Sequence, residues 1–191
     1  MERDKISDKD LWGSFKSGDP ESLSCIYEQN VQLLFRYGKK FTSDNELVKD
    51  TIQDLFFDLI RTRKNLGSTD SIKFYLIASF RRKLIATLKK RPLRVDTDVE
   101  KTTDADLVSF SEYELFEKEE LSPREKLVRE GLKTLTPKQR EILYYRYTCN
   151  FDYEHICQIT SLKYDSARKQ NFRALQSLRN WLSTKINQSS L

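Results

Sequence analysis

The stretch from Leu132 to Leu182 constrains the fold most, because its start and stop signals fix where each helix begins. Thr136-Pro137-Lys138-Gln139 combines a capping threonine, a first-turn proline and a capping-box glutamine, and so opens a helix that should bury Ile142, Leu143 and Tyr147. Thr148 to Phe151 turns the chain, and Asp152 caps a short helix from Tyr153 to Thr160. After Ser161-Leu162-Lys163, a longer basic helix runs to Trp181. Its stripe of Ala167, Asn171, Leu175, Leu178 and Leu182 is expected to face inward. Tyr164, Asp165 and Ser166 form its first turn, and Arg168, Lys169, Phe172, Arg173 and Gln176 project outward with Asp165. Two short helices, a tight turn and a cationic third helix make a helix-turn-helix, a motif that reads duplex DNA.

The rest of the chain also reads as helical. Only 5 glycines and 4 prolines interrupt 191 residues, which favours long helices over a β sandwich. A short helix from Asp8 to Lys16 carries Leu11, Trp12 and Phe15. Asp19-Pro20 then caps and starts a second helix. Its Leu23, Ile26, Tyr27, Val31, Leu34, Phe35 and Phe41 are expected to be core. Ser43-Asp44-Asn45-Glu46 reads as a capping box that starts a third helix at Asp44, running to about Lys64. Val48, Ile52, Leu55, Phe56 and Leu59 face inward on it, opposite Asp50, Gln53, Asp54, Phe57 and Arg61. An aromatic among acids and an amide suits a protein-binding patch, but Phe57 packing under the N-terminal helix fits the helical phase equally well. After a loop from Asn65 to Ser71, a fourth helix runs from Ile72 to Lys90. It interleaves Phe74, Tyr75, Leu76, Phe80, Leu84, Ile85 and Leu88 with Lys73, Arg81, Arg82, Lys83, Lys89 and Lys90. Cations between aromatics suit single-stranded nucleic acid, where phosphates meet charge and bases stack on rings.

Charge divides the chain into blocks. Residues 61–95 hold 11 basic and 1 acidic residues, 96–120 hold 2 and 10, and 121–191 hold 13 and 6. Two basic blocks around an acidic one imply two DNA contacts joined by a segment that is not one. The expected organisation is a helical domain over 1–92, a flexible acidic linker over 93–122 with a short helix near Tyr113 to Glu120, and a helix-turn-helix domain over 123–191. Pro92 and Pro123 mark the boundaries. No run of about 18 apolar residues exists, and Met1 to Lys5 lacks an apolar signal core, so a cytoplasmic protein is expected. Cys25, Cys149 and Cys157 do not form a disulfide framework, and Cys149, His155 and Cys157 lack a fourth zinc ligand. Cys157 reads as a small buried residue. With one histidine and no paired carboxylates beside a glycine loop, an enzyme such as a nuclease is not expected, and no cofactor is implied.

Two regions together resemble a bacterial RNA polymerase sigma factor of the sigma-70 family, extracytoplasmic-function subfamily. The first is Gly18-Asp19 with Leu23, Ile26 and Tyr27, followed by Asp50-Thr51-Ile52-Gln53-Asp54-Leu55-Phe56, which is similar to the family's core-binding signature. The second runs through Leu135-Thr136-Pro137, Gln139-Arg140-Glu141-Ile142-Leu143, Tyr145-Arg146-Tyr147 and Tyr153-Glu154-His155-Ile156-Cys157 to Arg173-Ala174-Leu175 and Leu178-Arg179.

The resemblance implies an all-α protein, with a region 2 bundle and a region 4 helix-turn-helix joined by the acidic linker. Asp50, Gln53, Asp54 and Phe57 would hold the clamp coiled coil of the largest subunit of core RNA polymerase. Asn65, Phe74, Tyr75, Arg81, Arg82, Lys83 and Lys89 would recognise and melt the minus-ten promoter element, with a flipped base held by the loop from Asn65 to Ser71. Tyr164, Asp165, Ser166, Arg168, Lys169, Phe172 and Arg173 would read the minus-thirty-five element. Such proteins are commonly held inactive by an anti-sigma factor, often membrane-bound. The chain departs from the pattern at Arg82, where asparagine is usual, at Ala86, where aspartate is common, and at Lys89, where arginine is. His155 and Cys157 replace a glutamate and an alanine, and Lys163 stands where a capping serine or threonine is common. A stand-alone helix-turn-helix regulator is the competing reading, but it has no need of the Asp50–Phe57 face.

Overall fold

The computed structural model describes residues 6–90 and 122–188. The expected linker (Ser122 apart) and the short helix near Tyr113 to Glu120 lie outside them. All regular elements among the described residues are helical. The chain forms two compact units, with residues 6–90 in the first and 122–188 in the second.

In the first unit, α1 (Asp8–Ser17) is capped by Ser7 and ends at Gly18, whose φ of 101° only glycine adopts without strain. It buries Leu11, Trp12 and Phe15, as expected. The Asp19 side chain accepts from the N–H groups of Glu21 and Ser22 to start α2 (Pro20–Gly38). The side-chain and backbone donors of Ser22 hold the Asp19 carboxyl below the usual carboxylate range. α3 (Asn45–Thr62) starts one residue later than expected. Asp44 itself is the cap, accepting from Leu47 N–H at 3.0 Å, in place of a box built on Ser43. α3 also ends sooner, and Arg63–Asn65 tightens into one 3-10 turn. α4 (Ile72–Lys90) lies against both α2 and α3. Leu34, Tyr37, Leu76, Ile77, Phe80 and Leu84 are fully enclosed between these helices, each contributing about 1.5–3 kcal/mol by burial. Gly38 permits this approach, since a Cβ there would sit 2.6 Å from Val48 Cγ1 and 3.1 Å from Phe80 Cζ.

α2 departs from the expected core. Ile26 and Leu34 are buried, in a stripe completed by Ser22, Asn30 and Tyr37. Leu23, Val31 and Phe35 are only half-buried and Tyr27 is 44% exposed. The helix carries two apolar stripes, and only one faces the bundle. Asn30 belongs to the inner one because its Nδ2 donates to Ile26 O at 2.9 Å.

In the second unit, reciprocal capping boxes start α5 (Pro123–Lys133), through Ser122 and Glu125, and α6 (Pro137–Leu143), through Thr136 and Gln139. α6 widens into a π turn over Tyr144–Thr148, closed by Cys149 N–H to Tyr144 O at 3.0 Å. The extra residue in that turn rotates the phase. Tyr144 and Tyr145 are buried, while Tyr147, expected in the core, is 60% exposed. α7 (Tyr153–Thr160) is capped by Asp152, as expected. Ser161, at φ 58°, ends it, and α8 (Tyr164–Gln188) follows. The inner stripe of α8 is Ala167, Asn171 and Ala174, while Leu175 is exposed. Two successive four-residue steps from Ala167 drift by about 80° around a helix of 3.6 residues per turn, whereas a four and then a three drift by only about 20°. Gly131 lets α5 close on α8, for a Cβ there would meet Leu178 Cδ1 at 2.5 Å and Trp181 Cε3 at 2.9 Å.

Candidate functional site

Three faces carry the residues singled out in the sequence, two on the first unit and one on the second. The first is an apolar groove between α2 and α3. Tyr27, Val31 and Phe35 form its α2 wall, and Ile52, Phe56, Phe57 and Ile60 its α3 wall. Phe57 is 65% exposed, so of the two readings left open the exposed one holds and it does not pack under α1. Asp50, Gln53 and Asp54 are exposed on the same helix, with Gln53 on the groove wall beside Lys49. Positions 50, 54 and 57 and positions 53, 57 and 60 follow the four-and-three spacing of one helix side, so Phe57 is common to the acidic row and the apolar row. The α2 wall was missed in the sequence because its residues were assigned to the core. Tyr27 meets Phe56 edge-on at 5.0 Å, one ring from each wall.

The second face is the loop after α3 together with the outer side of α4. Asn65 is exposed at the loop's start. The seven residues implied for minus-ten recognition do not share one environment. Arg82 and Lys89 are exposed on the crest of α4, and Arg82 Nη2 donates to Ser79 Oγ at 3.2 Å. Arg81 and Phe74 are half-buried and share a flank with Ile85 and Leu88. Lys83 is on another flank, where its Nζ meets Asp58 Oδ2 of α3 at 2.6 Å. This hydrogen bond, with the charges of Lys83 and Arg61, holds the Asp58 carboxyl below the usual carboxylate range. Lys83 therefore ties α3 to α4 as well as adding positive charge. Tyr75 is half-buried and its ring lies 5.0 Å from that of Trp12.

The third face is the outer side of α8. Asp165, Arg168, Lys169, Phe172, Arg173 and Gln176 line one shallow depression there, the same six residues that the helical phase projected outward. Phe172 is 66% exposed between the cations. Tyr164 is exposed in the first turn, with the Arg168 guanidinium 6.0 Å from its ring centre, and Ser166 is half-buried. Behind this face, Tyr153 of α7 accepts from Asn171 Nδ2 at 3.0 Å and packs edge-on against Tyr164 at 5.6 Å. These contacts join α7 to α8. The charge of this face is carried by residues that touch solvent, with an exposed aromatic among them.

The thiols play no comparable part. Cys149 is buried and Cys157 is half-buried rather than fully buried as expected. Partial burial, with the charge of Glu154, pushes the Cys157 thiol pKa up. His155 Nδ1 lies 3.0 Å from Asp152 Oδ1. Among the described residues, no group of three or more His, Cys, Asp or Glu could hold a metal ion. No described helix is long and apolar enough to cross a membrane.

Two family models match, sigma-70 region 2 over residues 26–92 and sigma-70 region 4 over residues 119–178. No curated protein matches the sequence. Two similar solved structures span nearly the whole chain. One is CnrH in complex with the cytosolic domain of CnrY, 15% identical with a TM-score of 0.59, the match covering 93% of this chain and 97% of that one. The other is the sigma factor RpoE in complex with the anti-sigma factor NepR from Bartonella quintana, 17% identical with a TM-score of 0.61, covering 85% and 98%. At these identities the two structures speak for the fold, and the family models carry the assignment. The chain belongs to the sigma-70 family, in its extracytoplasmic-function subfamily.

Proposed function

We propose that this protein is an initiation factor that binds core RNA polymerase and directs it to promoters, with no catalytic step of its own. The observation that carries this is the α2–α3 groove with the exposed Phe57 and the row of Asp50, Gln53 and Asp54 beside it. An apolar slot with an aromatic at its lip and carboxylates along one side suits a helical coiled coil with basic flanks, such as the clamp of the largest polymerase subunit. A stand-alone operator-binding regulator has no use for such a surface.

The two cationic faces divide the promoter between them in this reading. Arg82 and Lys89 on α4 lead the minus-ten contact, supported by Arg81, Lys83, Phe74 and Tyr75, and the loop from Asn65 to Ser71 receives the flipped base. Tyr164, Asp165, Ser166, Arg168, Lys169, Phe172 and Arg173 on α8 meet the minus-thirty-five element. Residues 93–122, net acidic, serve as the linker between domains 1–92 and 123–191 and thread toward the basic active-site channel of polymerase. The protein acts in the cytoplasm and is held in check by an anti-sigma factor. That partner is favoured because RpoE, a protein of similar fold, was crystallised with an anti-sigma factor.

The test is retention of the full chain on immobilised core polymerase. Wild-type protein should be retained, and Asp50→Ala with Gln53→Ala should lose most retention while both units stay folded. If the wild type is not retained, the proposal fails. If the double variant binds as well as wild type, the clamp assignment fails.

A further inference from the structure

We propose that α1 is a positioning element for base recognition: Asp8 and Trp12 set the shape of the loop between Asn65 and Ile72, and with it the preference for one base over the others. This rests on the reading of that loop as the minus-ten pocket. The loop has exposed tips at Asn65, Gly67, Ser68 and Asp70. Thr69 Oγ1 accepts from Ser71 N–H at 3.2 Å, and Ser71 Oγ accepts from Phe74 N–H at 3.2 Å, which organises only the exit. The middle and the end are tied to α1, and the entrance lies beside its cap.

At the entrance, the Arg63 guanidinium rests against Gly18, where a Cβ would lie 3.6 Å from its Nη2. In the middle, Trp12 Nε1 donates to Gly67 O at 2.9 Å across 55 residues of sequence. At the end, Asp8 Oδ2 accepts from Ile72 N–H at 2.8 Å across 64 residues. Two hydrogen bonds from one helix add fixed points to those of the loop's own turn bonds, and each fixed point removes backbone freedom that binding would otherwise have to freeze.

Core packing alone does not call for these groups. The Trp12 ring is buried against Phe15 and Tyr75, at 5.3 and 5.0 Å between ring centres, and a phenylalanine would fill much of that space. The indole N–H adds one thing, a directed bond to a loop carbonyl. The Asp8 carboxylate sits at the start of α4, where it takes the Ile72 N–H and its charge faces the positive end of the helix dipole. A DNA phosphate is thereby kept off that helix start, and the loop meets its ligand through the polar side chains of Asn65, Ser68 and Asp70. Base preference then depends on where those side chains stand, which α1 controls without touching the DNA.

The experiment compares the full chain with Trp12→Phe, Asp8→Ala and Asp8→Asn. A randomised single-stranded DNA pool first identifies the preferred sequence. Affinities are then measured for that oligonucleotide, for versions with each base replaced, and for oligo-dT, alongside amide exchange of residues 66–72. Loss of one net hydrogen bond lowers the preference at one position about fivefold in Trp12→Phe and Asp8→Ala. Oligo-dT binding stays within about twofold under the same single-bond argument, Asp8→Asn recovers part of the preference, and loop amides exchange faster. An unchanged preference in folded variants overturns the role of α1. A fall in oligo-dT affinity in step with the preference also overturns it, since that marks a general loss of binding. If the wild type prefers no base at any position, the minus-ten reading itself is wrong and this inference falls with it.

Discussion

Phe57 offers the sharpest separation of binding from stability. Its ring is 65% exposed, so the folded free protein gains little from it, and Phe57→Ala should shift stability by less than about 0.5 kcal/mol. Docking is different. A phenylalanine buries roughly 200 Å² when fully enclosed. The exposed share here leaves roughly 130 Å² to cover, which at about 25 cal/mol per Å² is about 3 kcal/mol. Part of that is offset by ordering of the ring, so about 2 kcal/mol is expected in practice, about thirtyfold in Kd. The assay is a titration of labelled protein with core polymerase, paired with a thermal melt. Phe57→Ala that stays folded and binds within threefold of wild type would refute the groove as the polymerase surface. Tyr27→Ala is the companion, since Tyr27 lies on the opposite wall and should reduce affinity in the same way.

Other perturbations test other parts of the account. Gly38→Ala should destabilise the first unit by about 1–3 kcal/mol in chemical denaturation, because the new methyl meets Val48 Cγ1 at 2.6 Å and a β-branched neighbour cannot swing away; greater stability would contradict that packing. Arg168→Ala, Lys169→Ala and Arg173→Ala should each weaken binding to upstream promoter DNA and reduce the salt slope by about 1, read from binding isotherms at several salt concentrations. The Asp58–Lys83 link lowers the Asp58 pKa in the folded state, so its contribution is complete above the ordinary carboxylate value of about 4 and is lost as pH falls through the folded value. Asp58→Asn should therefore flatten the acid limb of the first unit's stability curve, and an unchanged limb would mean that other carboxylates carry it. Cys157 should resist a thiol reagent at neutral pH because burial raises its pKa, as followed by mass spectrometry of the native protein.

Helix starts were legible because capping chemistry is local. Asp19, Thr136 and Asp152 all cap as read, each bonding an N–H two or three residues on. The outward face of α8 was legible for the same kind of reason, since helical phase alone places six residues on one side. The α2 wall of the groove was not, because a 3.6-residue period marks two apolar stripes without saying which meets the bundle. Burial decides it, and only the packing of α3 and α4 supplies that. Tyr147 failed as a core residue because a π turn changes the period without any sequence mark. The tethers from Asp8 and Trp12 span 64 and 55 residues, and no local pattern encodes a bond of that range.

The central claim is that this chain makes core polymerase promoter-specific. Reconstituted transcription tests it directly: purified chain and core polymerase are given genomic DNA from the source cell, and the 5′ ends of the transcripts are mapped. The account predicts a discrete set of starts that share two upstream elements, that are absent with core polymerase alone, and that are lost with the Asp50→Ala, Gln53→Ala double variant. Starts that are the same with and without the chain would contradict it.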